Sequence, residues 1–287
     1  MLLSEINAVF SLWDRAKKWL HGRKNPPVES VVTRLVSLFE SHGVHRNQIP
    51  RFFGHDLTLK DVQDDDSFIA KLDEPILQEI CERFAVRREW LDGAESQIYP
   101  CHDFYKYPNS FSEFIKNLKV NNLDADLHGV LIAPKELRDA FALIILQETI
   151  GFVGDKPIYR YHLCNNWVFT YWKARAYLTA CVAIAWKEHS FIHGVYMPRK
   201  EIERLSEGEV LLGWQGEGIW KLGVRSWYPE DMALCPMGFL EGIDSEQDNF
   251  GIKSGLGLWL DLEKDGFMNA GIKENARQLF QQELAKY

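Results

Sequence analysis

At 287 residues the chain has room for two domains, or for one domain with appendages. A formal net charge of −8 works against broad attraction to nucleic acid or anionic lipid, and 46% hydrophobic with 26% charged residues excludes wholesale disorder. Five widely spaced cysteines, odd in number and without a C-x-x-C pair, argue against a disulfide framework or a zinc site and fit a reducing cytoplasm.

Ile6, Val9, Phe10, Trp13, Ala16 and Leu20 recur at helical spacing, which predicts an amphipathic helix over residues 1–25. Its end is basic, with Arg15, Lys17, Lys18, Arg23 and Lys24. A docking helix with a solvated basic face fits this pattern, as does a segment that contacts phosphate or a membrane surface. Glu5 interrupts the apolar stretch too early for a secretory signal, and Pro26-Pro27 end the helix.

Residues 30–96 read as an all-α unit. "SVVTRLVSLFESHG" places Val32, Leu35, Val36 and Phe39 on one face and stops at Gly43. "HRNQIPRFFG" predicts a second short helix, "LTLKDVQ" a third with Thr58 as N-cap, "PILQEICERF" a fourth, and "RREWLDG" a fifth. This order, closing on Ile80, Cys81, Phe84, Val86, Trp90, Leu91, Gly93 and Glu95, resembles the lambda-repressor-type (Cro/C1, Xre) helix-turn-helix family over about a quarter of the chain.

The resemblance implies that Arg46, Asn47, Gln48 and Arg51 of the second helix, with Thr58, Lys60 and Gln63 of a recognition helix, touch double-stranded DNA. It also implies a homodimer reading paired half-sites. Pro50 departs from the family's small residue, and Asp61 with Asp64-Asp65-Asp66 lies on or beside the reading helix. Eight basic and thirteen acidic residues give residues 30–96 a net charge of −5. That charge favours an alternative use of the same fold: an adaptor that binds no DNA and docks another protein through an acidic face.

Residues 97–125 read as a connector with one short helix. From 126 to 225 the pattern becomes α/β: "LHGVLIAP" is a strand, and "FALIILQETIGFVGDKPIYRYHLC" is two strands around a Gly154-Asp155 turn. The apolar stretch Trp167–Trp186 carries Lys173 and Arg175, so it reads as a buried helix or strand pair and not a membrane span. "FIHGVYMP" is a strand and "PRKEIERLSEG" a helix. Residues 226–287 read as a loop-rich extension closed by a final helix. The expected fold is thus multidomain, an N-terminal all-α helix-turn-helix domain followed by a mixed α/β domain.

Glu148, Arg160, His162, Trp172 and Arg175, with Trp167, form the densest polar-aromatic set and are candidates to hold an anionic or planar ligand. The same residues also fit a cross-strand ion pair beside packed tryptophans. His162 with Cys164 lacks an assignable base triad, and His189 with His193 lacks the helical surroundings of a metal pair. "GWQGEGIW" suits a tight turn better than a nucleotide loop, and "IDSEQDNFG" lacks the ligand spacing of a calcium loop. No catalytic residue, metal or cofactor is assigned. The leading expectation is a cytoplasmic DNA-binding transcriptional regulator whose C-terminal domain senses a small molecule or protein partner. The adaptor is the alternative, and an enzyme built on Glu148, Arg160 and His162 is a third reading that requires a pocket joining them.

Overall fold

The computed structural model describes residues 30–122, 126–135, 141–223, 226–243, 251–271 and 275–287. The basic segment 1–25 and residues 244–250 of "IDSEQDNFG" lie outside them. The fold is mixed α/β, built on one five-stranded sheet.

Helix α1 (Val31–Ser41) begins where Ser30 Oγ accepts the Thr33 N–H, and it buries Val32, Leu35, Leu38 and Phe39. A 3-10 turn over Arg46–Gln48 leads into α2 (Ile49–Phe53), which ends at Gly54 with φ +81°. The expected third helix is not formed: residues 59–63 are a turn. Thr58 N–H and Oγ1 both donate to Asp61 Oδ2, at 2.8 and 2.6 Å, closing the turn on itself. Asp64 then takes an extended backbone, and its carboxylate accepts the Ser67 N–H to start α3 (Asp65–Ile69). An acid at the N-cap with two more in the first turn favours a new helix start over continuation of the previous one. Helices α4 (Glu74–Phe84) and α5 (Arg88–Leu91) follow as expected, α4 capped by Asp73.

Strands β1 (Cys101–His102), β2 (Leu127–Pro134), β3 (Phe141–Val153), β4 (Lys156–Val168) and β5 (Ile192–Met197) lie in the order β1-β4-β3-β2-β5. The β2-β3 and β3-β4 pairs are antiparallel, and the two edge strands pair in parallel. Val130, Ile132, Leu143, Ile145, Tyr161 and Leu163 line one face and share a single hydrophobic cluster with Leu35, Phe39, Phe53, Phe84 and Trp90 of the helical unit. Such continuity means that the helical unit completes its core on the sheet. Helix α8 (Arg199–Ser206) joins the same face through Ile202 and Leu205.

The opposite face carries Leu131, Ala133, Ile144, Leu146 and Cys164, covered by α6 (Pro108–Asn121) and α7 (Trp172–Lys187). Both sides of α7 are buried, because a further layer packs on its outer side. That layer comprises α9 (Asp231–Leu234), α10 (Pro236–Leu240), α11 (Gly251–Lys264) and α12 (Ala276–Leu284). The described part of the expected loop-rich extension is therefore largely helical. Among the described residues no helix is long and apolar enough to cross a membrane.

"GWQGEGIW" is a strap of 3-10 turns, Trp214–Gly216 and Gly218–Leu222, laid between α1 and the sheet. Gly213 has φ +106°, and a Cβ there would collide with the Ser41 carbonyl. The strap is tied to the sheet by Ile219 N–H donating to the buried Gln147 Oε1 at 2.7 Å.

Candidate functional site

The seven residues assigned to DNA by the family resemblance lie around α2 and the turn that follows it. Arg46 reaches inward, donating from Nε to the Val62 carbonyl and pairing through Nη2 with Asp65 at 2.7 Å. Gln63 Nε2 donates to Asn47 Oδ1, and Gln48 Oε1 accepts the His45 N–H. Thr58 is committed to Asp61. Arg51 and Lys60 are exposed, yet so are Asp56, Asp64, Asp65 and Asp66. Hydrogen bonds from Thr58 hold the Asp61 carboxyl below its usual range, and those from Ser67 do the same for Asp64. Both acids thus stay ionised at neutral pH. Leu59 and Ile69, on either side of the acid run in sequence, are exposed apolar side chains.

The second set is split. Glu148 stands directly opposite Arg160 in the β3-β4 register, where a hairpin over 142–163 left Arg160 or His162 as its partner; a register shift between Thr149 and Gly151 sets the pairing. Its carboxylate accepts from Arg160 Nε at 2.6 Å and Nη2 at 2.8 Å, and from Asn122 Nδ2 at 3.0 Å. His162 Nε2 lies 3.1 Å from Glu148 Oε2. Burial raises the cost of the Glu148 charge, but the bonds from His162, Arg160 and Asn122 prevail and bring its pKa down to about 2. Burial in turn lowers the pKa of His162. A carboxylate so fully satisfied is a poor proton acceptor near neutral pH.

Arg160 also donates from Nη1 to the Glu82 carbonyl of α4 at 3.2 Å, so this ion pair fastens the helical unit to the sheet. A polar cleft of about 380 Å³ opens beside it; its lining includes Arg160, Asn122, Glu79 and Arg83, and neither Glu148 nor His162. This cleft does not join Arg160 to Glu148 and His162, as the enzyme reading requires.

Trp172 and Arg175 are elsewhere, on α7. Arg175 is fully buried, donating to the Phe169 and Phe239 carbonyls at 3.0 and 3.1 Å, and burial brings its pKa down to about 9. Trp172 packs beside Gly255 of α11. Trp167 is buried and donates to the Cys164 carbonyl. Trp167 thus packs from β4 between the sheet and its helices, while Trp172 and Arg175 pack on α7. Burial pushes the Cys164 thiol up, while His162 Nε2 is committed to Glu148, so the two make no nucleophile-base pair. All five cysteines are free.

Two features escaped the reading of the sequence. His42, at the end of α1, is wholly buried; its Nδ1 lies 2.8 Å from the Leu38 carbonyl and its Nε2 3.4 Å from Tyr99 Oη, which accepts the Leu212 N–H. Burial brings the His42 pKa down to about 4. The other feature is a cavity of about 780 Å³ at the β5 edge, lined by His128, Trp186, Phe191, Ile192, His193 and Trp220. Strand alternation alone places His128 and His193 on one face once β2 and β5 are paired, but that pairing has no local signal. Among the described residues no group of His, Cys, Asp and Glu has the makings of a metal site. Compared with protein-family models, curated proteins and solved structures, the chain matches none.

Proposed function

We propose that the chain is a docking protein whose helical unit, fixed on the sheet, receives a basic segment of another protein around the turn after α2. One observation carries this reading: the surface that would face DNA displays Asp56, Asp64, Asp65 and Asp66, while Arg46 is already paired with Asp65. DNA binding draws its affinity from unpaired basic side chains meeting phosphates, and specificity from an element that enters the groove. Here the expected recognition segment is a self-closed turn. Exposed Leu59 and Ile69 add apolar contact for an amphipathic partner. The paired half-sites that called for a homodimer belong to the DNA reading, and docking does not require one.

The test is calorimetric titration of the full chain with a synthetic Leu-Lys amphipathic peptide at two salt concentrations. Saturable binding that weakens with salt, and by at least about tenfold in Asp65→Lys/Asp66→Lys, supports docking. An affinity unchanged in that double variant rejects it.

A further inference from the structure

The cavity at the β5 edge shares no lining residue with the turn after α2 or with the Glu148 cluster, and we infer that it is a binding site for a small, planar, uncharged aromatic molecule. Its volume of about 780 Å³ lies within the range of small-molecule sites, roughly 300–1,000 Å³. Among the described residues no Asp, Glu, Lys or Arg lines it, which argues against phosphorylated or strongly ionic ligands.

The walls are aromatic, and their rings already pack on one another. His193 stacks on Trp220 with ring centroids 5.1 Å apart and planes 10° apart, and His128 meets Trp220 edge-on at 5.8 Å. Trp186 and Phe191, also in the lining, form an edge-to-face pair at 4.8 Å. Phe191 and Trp220 nonetheless remain 44% and 51% exposed, so a flat ring seated in the cavity covers apolar surface that water now contacts. The imidazole of His128, on the strand next to β5, supplies a polar atom that would orient a ring substituent at its edge.

Titration of the full chain with N-phenyl-1-naphthylamine, an uncharged planar fluorophore, tests the site through dye emission and energy transfer from tryptophan. Saturable one-to-one binding is expected, weakened about tenfold in both Trp220→Ala and Phe191→Ala. Both side chains are partly exposed, and circular dichroism establishes that the variants remain folded. Competition by quinoline should displace the dye from the native protein. Absence of saturable binding, or dye binding untouched by both substitutions, overturns the assignment.

Discussion

Arg46 and Asp65 pair at 2.7 Å with 26% and 55% of their side chains exposed, whereas Arg160 meets Glu148 at 2.6 Å with 20% and 1% exposed. Near-identical chemistry and distance therefore serve different ends. At the surface, the acids close turns, cap α3 and cancel nearby bases, and each bond competes with water. In the interior, one carboxylate gathers an arginine, a histidine and an asparagine, and through Arg160 reaches a carbonyl of α4. Charge at the surface shapes what the protein displays, and charge in the interior joins its layers.

Substitution separates the two most widely at Glu148. Glu148→Ala leaves Arg160 and His162 without their acceptor and should cost about 3–5 kcal/mol in urea unfolding. A loss below about 1 kcal/mol would make the buried cluster no stronger than a surface pair. Thr58→Ala, which removes the hydroxyl's bond to Asp61 in the turn, should cost about 1 kcal/mol. Asp65→Asn, at the exposed pair, should change stability by no more than about 0.5 kcal/mol.

Acid sharpens the contrast in order. The His42 pKa falls from 6.5 to about 4 in the folded chain, so between those pH values the unfolded chain binds a proton that the native state refuses. Stability must fall as pH drops through this window, by roughly 3 kcal/mol in all. The Glu148 pKa is lowered from 4.5 to about 2, so its stabilisation is complete above pH 4.5 and is lost as pH falls toward 2. Chemical denaturation of His42→Phe across pH should reduce the first slope and keep the second. His102 and His162, whose pKa values burial also lowers, contribute the remainder of the first slope. An unchanged first slope would assign it to another group.

Legibility in the sequence followed how local the cause was. The β3-β4 hairpin was readable because alternation and a Gly154-Asp155 turn mark it over a few residues, but the register shift between Thr149 and Gly151 that sets Glu148 opposite Arg160 has no such local signal. The turn at 59–63 was misread as a helix because periodicity ignores competing caps, here Thr58-Asp61 and Asp64. Helix α7 was ambiguous because a helix buried on both sides has no polar face to give it a period. Helix α11 was hidden by Gly251, Gly255 and Gly257, although Gly255 packs closely against Trp172 and Phe239. Arg175 and Trp172 were grouped with Glu148 by nearness in sequence, which the turn into α7 breaks. The aromatic cavity draws on residues from 128 to 223, so no single stretch announced it.

The most direct test of docking against DNA reading exposes the purified full chain to pooled random duplex DNA at two salt concentrations and sequences what is retained. The charge arrangement around α2 predicts no enriched sequence at either salt. A two-fold symmetric site that is enriched, and lost on Arg51→Ala and Lys60→Ala, would contradict the account and restore the DNA reader.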